Sequence, residues 1–345
     1  MRYGSFKVNR LNSLVLAIIL IVSSCQINQN DIGKPISFYH WKSKAEYSSK
    51  IEQTLRETKA DKIYIHYFDV DQVNNPTYND NGIYPIYVIK EIDSNFVDYN
   101  IVPVVYITNQ VFKAENLDIT NLTGRIKDLI HQISLKHFKK EIHSIQVDCD
   151  WTQSTRYAYF SFLDILKKDF DIDVTIRLHQ IKYKKETGIP PAEHGTLMLY
   201  NMGDFKKDEE NSILESRIVQ QYINHSTNYP LSLHLGLPLF SQTILTNNDN
   251  EHRIIKDVDR SLYETDSHFE KVDINHFKVI TDTLYKGFYL TKGFTLKLEE
   301  INQNQIIESY QYIENSKLKI DEIIFYHLDD KTLNSTNVQT LIKNL

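Results

Sequence analysis

The chain has 345 residues, of which 41% are apolar and 24% are charged, with 39 Lys and Arg against 45 Asp and Glu. This is the composition of a folded globular protein, and it excludes a disordered chain, a collagen-like repeat and a nucleic-acid binder with a basic face. The two cysteines, Cys25 and Cys149, are too few for a disulfide framework that would hold the fold together.

The first residues of the chain have the pattern of a secretory signal peptide. Three basic residues precede an unbroken apolar run at residues 14–22, which is shorter than the about 20 residues of a membrane-spanning helix. The sequence V-S-S-C that ends at Cys25 resembles the bacterial lipobox, in which the signal is cut before a cysteine that is then lipid-modified. We therefore predict a lipoprotein signal peptide at residues 1–24, a lipidation site at Cys25 and a polar tether at residues 25–35. The alternative is a plain secretory signal with an incidental cysteine.

The charge of the chain bears on its location and partners. The full chain has a formal net charge of −6, and removal of residues 1–24, which carry three basic and no acidic residues, leaves −9. An acidic protein of this kind does not bind nucleic-acid phosphates or anionic headgroups through charge. We expect a protein of the bacterial cell envelope that a lipid anchor attaches to a membrane, with the outer membrane as the expected location, and no nucleic-acid partner.

The rest of the chain alternates short β-branched and aromatic runs with amphipathic helical stretches. Ile51 and Leu55, for example, lie four residues apart on one face of a predicted helix. Eight strands that alternate with helices predict an α/β fold, the (β/α)₈ TIM barrel, and the alternative is a doubly wound open sheet. The predicted strands are residues 36–41, 62–70, 101–109, 142–151, 173–180, 196–203, 231–241 and 322–328, and clear helical stretches are residues 43–58, 122–138 and 156–170.

The alternation of strands and helices is interrupted once, between the seventh and eighth predicted strands. About sixty residues separate these two strands, with an acidic, histidine-containing part at residues 247–276 and one or two extra strands at residues 285–298. Loops that follow barrel strands tolerate insertions. We therefore predict a barrel at residues 36–345 that is interrupted by an insertion at residues 241–301 on its carboxyl-terminal face.

Two aspartates lie at the end of the fourth predicted strand. Asp148 and Asp150 are two residues apart, so their side chains point to the same face, which is the pocket at the end of a barrel strand. Two adjacent carboxylates repel each other, and this raises the pKa of one of them, as acid–base sites require. Asp148 and Asp150 are therefore the candidate catalytic residues. The alternative is a structural carboxylate bonded to Arg177 on the adjacent fifth strand.

Histidines on several predicted strands raise the question of a metal site. Arg177 and His179 share one face of the fifth predicted strand, and His234 lies on the seventh. The predicted strands contain no His-x-His pair and no helical His-x-x-x-His pair, so we expect these side chains to form a polar barrel mouth, with no metal and no cofactor. The sequence also lacks a Gly-rich phosphate loop and a G-x-S-x-G motif, which argues against nucleotide and serine-hydrolase chemistry.

The ends of four predicted strands, taken together, resemble the chitinase family, glycoside hydrolase family 18. The family's fourth strand ends D-G-x-D-x-D-W-E, and residues 145–152 read I-Q-V-D-C-D-W-T. Its sixth strand carries M-x-Y-D, where residues 198–201 read M-L-Y-N, and its seventh reads G-L-P-x-Y, where residues 236–240 read G-L-P-L-F. Its eighth often ends W-x-x-D-x-D, where residues 326–330 read Y-H-L-D-D. Many members also carry a small α+β insertion between strands seven and eight.

The departures from this resemblance concern the catalytic machinery. In the family, the Glu that closes the fourth-strand motif protonates the glycosidic oxygen, and the substrate's own acetamido oxygen attacks the sugar carbon. Thr152 stands at the position of that Glu, and its hydroxyl is no general acid at neutral pH. Asn201 and Tyr326 replace the family's Asp and Trp. The resemblance therefore implies a sugar-binding barrel without the proton donor.

Three functions follow as alternatives. The first is an envelope lipoprotein whose partner is a glycan that contains N-acetylhexosamine, with aromatic side chains, including Phe240, that stack on sugar rings. The second is an active glycoside hydrolase with a displaced acid, and the third is a non-catalytic envelope scaffold. The substrate-binding residues of the first hypothesis are Trp151, Thr152, Arg177, His179, Tyr200, Asn201, His234 and Tyr326. The candidate acids of the second are Glu193, Asp204, Asp69 and Asp329.

Overall fold

Strands and helices alternate through most of the chain. The computed structural model describes residues 33–75, 80–256 and 258–345, so the predicted signal peptide, Cys25 and most of the predicted tether lie outside the described residues. In the described ranges, no helix has the length and apolarity needed to cross a membrane. The strands are β1 (Ile36–His40), β2 (Lys44–Ala45), β3 (Lys62–Asn75), β4 (Asp80–Ile86), β5 (Glu91–Ile92), β6 (Asn100–Ile107), β7 (Ser144–Asp148), β8 (Asp171–Ile176), β9 (His194–Met198), β10 (Ser232–Pro238), β11 (Gln242–Thr246), β12 (His252–Lys256), β13 (Phe269–Lys271), β14 (His276–Val279), β15 (Thr283–Tyr285), β16 (Phe288–Leu290), β17 (Thr295–Glu299) and β18 (Ile320–Tyr326). The α-helices are α1 (Ser49–Thr58), α2 (Ile119–Phe138), α3 (Arg156–Leu166), α4 (Leu178–Lys182), α5 (Lys184–Thr187), α6 (Ser216–Tyr222), α7 (Arg260–Thr265), α8 (Gln303–Glu314), α9 (Asp330–Ser335) and α10 (Val338–Asn344).

Eight of these strands form a closed parallel barrel. Its order is β1, β3, β6, β7, β8, β9, β10 and β18, and β1 pairs in parallel with both β3 and β18, which closes the sheet on itself. Each of the eight predicted strands corresponds to one barrel strand. The predicted α/β TIM barrel is therefore confirmed, and closure excludes the open-sheet alternative.

The predicted fifth strand, residues 173–180, is too long. Strand β8 ends at Ile176, where the side chain of Gln180 accepts a hydrogen bond from the backbone N–H of Arg177 at 2.7 Å and caps the start of helix α4. His179 consequently lies on a helix. The prediction that His179 and Arg177 share a strand face is wrong, because a side chain-to-backbone cap ended the strand sooner than the β-branched run suggested.

The interior of the barrel combines a polar network with a small aromatic core. Gln146 is central to the network, since its Oε1 accepts a hydrogen bond from the Tyr39 hydroxyl at 2.8 Å. Its Nε2 donates to Asp173 Oδ2 at 2.9 Å and to Thr196 Oγ1 at 3.0 Å. The interior core consists of Tyr39, Tyr64, Val102, Val104 and Ile324.

A larger apolar core lies between the barrel and its helices. Helix α2 contributes Ile126, Ile130 and Ile133, which recur at helical spacing and are all buried. Cys149 belongs to this outer core and is buried, because it alternates with the two aspartates that point the other way. Burial of this core supplies most of the stabilisation of the fold and fixes the positions of the strand ends.

The segment between β10 and β18 forms a separate sheet with its own core. Five antiparallel strands pair in the order β12, β11, β17, β14 and β13, and β15 and β16 form a hairpin beside them. The described part of this segment thus contains seven strands, whereas the sequence predicted one or two. Its core is formed by aromatic and aliphatic side chains that include Tyr263, Phe269, Phe277, Leu296 and Leu298. Because the segment follows the carboxyl end of β10, it lies at the carboxyl-terminal face of the barrel, as predicted.

Candidate functional site

Asp148 and Asp150 lie at the carboxyl-terminal mouth of the barrel, where β7 ends. Asp148 is 8% exposed and its Oδ1 accepts a hydrogen bond from Thr175 Oγ1 at 2.6 Å. Burial raises the pKa of Asp148 to about 6, and the neighbouring charge of Asp150 adds to this increase. The spacing of the two aspartates led us to expect a raised pKa from charge repulsion, whereas burial is the main cause of the increase at Asp148.

Asp150 forms an ion pair with Arg177 across the mouth. Arg177 Nε donates to Asp150 Oδ1 at 2.7 Å, and its Nη2 lies 3.3 Å from Asp150 Oδ2. A third donor, Arg177 Nη1, lies 3.3 Å from the backbone oxygen of Tyr200, which holds the guanidinium between strands β7 and β9. The Asp150 side chain is 46% exposed and that of Arg177 is 23% exposed, so both charges remain accessible to a ligand.

Aromatic rings line one side of the same mouth. The ring of Tyr326 lies 5.9 Å from that of Trp41, 5.1 Å from that of Tyr200 and 5.5 Å from that of Phe240. Trp41 also stacks on His66 at 4.6 Å. Trp41 and Tyr326 are half-buried and therefore present ring surface to solvent, whereas Tyr200 and Phe240 are buried beneath them.

Two residues of the mouth were not among the predicted site residues. Trp41 directly follows β1, and the rule that strand ends line the mouth points to it. Tyr106, on β6, is half-buried, and desolvation together with the charges of Asp148 and Asp150 raises its pKa to about 12. Its hydroxyl therefore stays protonated and available as a hydrogen-bond donor at neutral pH.

Two of the predicted binding residues lie away from the mouth. Trp151 is fully buried in the outer core, where its ring stacks on Tyr159 at 5.3 Å and its Nε1 donates to the backbone oxygen of Thr187 at 3.0 Å. No face of the Trp151 ring is open to a sugar in this structure. His234 lies near the start of β10. Because all barrel strands run in the same direction, residues at their starts lie inside the amino-terminal end of the barrel and not at the carboxyl-terminal mouth.

The remaining predicted residues lie on the loops and the helix that follow the barrel strands. Thr152 is exposed, and its hydroxyl bonds to Ser154 Oγ at 2.9 Å. Asn201 is exposed with a left-handed φ of 53°, a conformation that asparagine tolerates better than most residues. His179 is exposed on α4, and partial desolvation lowers its pKa.

The four candidate displaced acids are engaged elsewhere or lie at the wrong end. Glu193 precedes β9 at the amino-terminal end of the barrel and accepts from the backbone N–H of Ile172 at 2.7 Å. Asp329 caps α9 and pairs with His327 at 2.5 Å, and its pKa is strongly lowered because these contacts outweigh its burial. Asp69 lies near the mouth but bonds to His66 at 2.6 Å. Asp204 is exposed on the loop after β9, where its Oδ1 accepts a hydrogen bond from the backbone N–H of Lys206 at 3.0 Å.

Within residues 33–75, 80–256 and 258–345, no group of three or more His, Cys, Asp or Glu side chains is arranged to hold a metal ion.

Comparison with known proteins gives matches among solved structures only. No protein-family model matches the chain, and no curated protein matches it. The Bacillus cereus spore cortex-lytic enzyme SleL is 14% identical, with a TM-score of 0.45 over 90% of this chain and 74% of that one. A chitinase from Rhizomucor miehei is 10% identical, with a TM-score of 0.45 over 89% of this chain and 100% of that one.

A third matching structure is that of an inhibitor protein. The xylanase and α-amylase inhibitor protein of Scadoxus multiflorus is 8% identical, with a TM-score of 0.45 over 90% of this chain and 97% of that one. The TM-scores of all three matches are below 0.5, so the barrel assignment rests on the strand pairing of this chain itself.

Proposed function

We propose that the carboxyl-terminal mouth of the barrel binds a glycan and that the protein does not hydrolyse it by acid catalysis. The observation that carries this proposal is the accessible Asp150–Arg177 pair beside the half-buried rings of Trp41 and Tyr326. Sugar rings offer an apolar C–H face and a rim of hydroxyl or amide groups. A ring platform next to a carboxylate and a guanidinium matches both features.

The chemistry of the mouth favours binding over hydrolysis. Thr152 occupies the position at which the resembled family places its proton donor, and a hydroxyl does not replace a carboxylic acid in that role. Asp148 has a pKa of about 6, but it is nearly enclosed and bonded to Thr175. Asp150, the other carboxyl at this strand end, is committed to Arg177. Loss of general acid catalysis typically removes about 10²–10⁴-fold in rate.

The same proposal includes attachment to the bacterial cell envelope through a lipid on Cys25. Its support is the basic, apolar and V-S-S-C pattern of residues 1–25. Expression of the full chain in a bacterial host with a labelled fatty acid tests it: the Cys25→Ser variant should lose both the label and the membrane-bound fraction. A Cys25→Ser variant that stays labelled would overturn the anchor proposal.

Calorimetric titration tests the binding proposal. The full chain is titrated with chitin oligosaccharides and with N-glycan oligosaccharides, and the mixtures are analysed for products after overnight incubation. Saturable binding without released sugars is the expected result. Released sugars would overturn the proposed loss of hydrolysis. No heat from either set of oligosaccharides would overturn glycan binding and favour the scaffold function. The burial of Tyr200 and Phe240 in the mouth also favours that function.

Two variants locate the binding site. Asp150→Ala should abolish glycan binding while the barrel remains folded, because the carboxylate is half-exposed at the mouth. Asp164→Ala is the matched control, since Asp164 forms a similarly exposed ion pair with Lys167 on the outer helix α3. Wild-type affinity in Asp150→Ala, or an equal loss in both variants, would contradict the assignment of the site.

A further inference from the structure

A second polar cavity lies at the opposite, amino-terminal end of the barrel. It has a volume of about 410 Å³ and is formed by the first residues of the barrel strands, among them Lys62, Asp173, His234 and Glu322. It shares no lining residue with the carboxyl-terminal mouth. We propose that this amino-terminal cavity binds a ligand that carries primary ammonium groups, an alkyl diamine or a polyamine.

The charges that line the cavity favour a cation. Its carboxylates outnumber its basic side chains, and two of these, Lys62 and His234, are already paired within the protein. Lys62 Nζ lies 2.5 Å from Glu322 Oε2, and His234 Nδ1 lies 3.1 Å from Asp173 Oδ2. The lining carboxylates are Asp171, Asp173, Glu193, Asp321 and Glu322, against Lys62, His194 and His234.

Two carboxylates that line this cavity each have a buried oxygen without a hydrogen-bond partner in the described part of the chain. Asp173 Oδ2 accepts hydrogen bonds from Gln146 and Thr196, but Asp173 Oδ1 accepts none. Glu322 Oε2 faces Lys62, but Glu322 Oε1 has no partner. Asp173 is 7% exposed and Glu322 is 3% exposed, so each unpaired oxygen has been taken out of water without a donor in return.

The other residues that line the cavity indicate which class of cation it binds. A metal ion is disfavoured, because no trio of ligating side chains is found in the described residues. Tyr64, Val102, Ile145 and Ile172 give the cavity apolar walls, which suit methylene groups. An ammonium group supplies three donors for carboxylate oxygens, and an alkyl chain behind it would pack on these walls. Asp171 and Asp321 are exposed and can receive a second ammonium group at the opening.

Titration of the full chain with diamines tests the proposal. Spermidine and 1,5-diaminopentane should each bind saturably with one ligand per chain, and added salt should weaken both. Pentane-1,5-diol, which has the same carbon chain as the diamine without charge, should give no saturable heat. Absence of saturable heat from both amines, or equal binding of the diol, would overturn the proposal. Because glycan binding uses the other end of the barrel, either proposal can fail without the other.

Variants of the exposed and the buried carboxylates of the cavity locate the bound ligand. Asp171→Asn and Asp321→Asn change exposed groups, so the fold is retained, and each should weaken spermidine binding about twofold to fivefold. Glu322→Gln should weaken it about thirtyfold or more, because it removes a buried charge. Asp164→Asn on the outer helix should leave it unchanged. If Glu322→Gln fails to fold, the double variant that combines Asp171→Asn with Asp321→Asn provides the test. Wild-type affinity in that double variant would overturn the site.

Discussion

The two ends of one barrel use the same kinds of side chain in opposite environments. At the carboxyl-terminal mouth, Asp150 and Arg177 form an ion pair that solvent reaches. At the amino-terminal end, Asp173, His234 and Glu322 form a charged group that is almost fully enclosed. Exposed ion pairs contribute at most about 1 kcal/mol to stability, whereas an unpaired buried charge costs several kcal/mol. Burial, rather than residue type, therefore sets how strongly the charged groups of each end contribute to the stability of the fold.

The largest effect should come from breaking the enclosed group. Glu322→Ala leaves Lys62 and His234 without their shared carboxylate, so we expect a loss of about 3 kcal/mol in the free energy of unfolding. Asp150→Ala at the mouth should cost less than about 1 kcal/mol. Urea unfolding of both variants measures the difference. Equal losses in the two variants would show that burial does not distinguish the two ends.

A gain in stability is expected from Asp148, the enclosed carboxyl of the mouth. Its pKa of about 6 lies above the ordinary value near 3.8, mainly because burial disfavours the charged form. Ionisation therefore destabilises the native state as pH rises from about 4 to about 6, and the cost stays constant above that range. Asp148→Asn removes this cost, so the variant should be more stable than the wild type by about 2–3 kcal/mol at pH 8.

The comparison at low pH provides the control for Asp148. At pH 4 the carboxyl is protonated in the native state and the advantage of Asp148→Asn should nearly vanish. Thermal unfolding at pH 4 and pH 8 gives both values. A variant that is less stable than the wild type at pH 8 would mean that the charged carboxylate is favoured inside the mouth.

The sequence predicted the barrel because its signal is repeated eight times. Each strand is a short β-branched and aromatic run, and errors at single ends do not change the count. The helix α4 was missed because its first turn depends on the Gln180 side chain, which local hydrophobicity does not report. The extra sheet of the insertion was underestimated because its strands are short, three to five residues each, and carry little periodicity.

The candidate site was predicted less completely than the fold. Period-two alternation correctly placed Asp148 and Asp150 on one face, since it needs no knowledge of neighbouring strands. The alternation does not indicate which residues of a strand lie at its start and which lie at the mouth. For this reason His234 was predicted at the wrong end of the barrel. The burial of Trp151 depends on its packing against Tyr159 of helix α3, which is a tertiary contact without a local sequence signal.

A moderate effect on ligand affinity is expected from the aromatic side of the mouth. Trp41 is half-buried and stacks on His66, so Trp41→Ala removes ring surface that a sugar would cover. Glycan binding should weaken about fivefold to tenfold, which corresponds to about 1–1.4 kcal/mol for one aromatic contact. Spermidine binding at the other end should not change. Calorimetry with both ligands on the same variant measures this separation, and a parallel loss of both would show that the two ends are coupled.

The smallest effect concerns how each ion pair responds to pH. Burial lowers the pKa of His234, but the charge of Asp173 outweighs this and raises it. A raised histidine pKa contributes stability that is complete below the unfolded value near 6.5 and is lost as pH rises through the folded value. The stability difference between the wild type and His234→Gln should therefore shrink from pH 6 to pH 9. The guanidinium of Arg177 does not titrate in this range, so the corresponding difference for Arg177→Gln should stay constant from pH 7 to pH 9.

The groups that face His234 are Asp173, Glu322, Tyr64, Lys62 and His194. A difference for His234→Gln that grows with pH would show that the neutral imidazole is the form that stabilises the amino-terminal end.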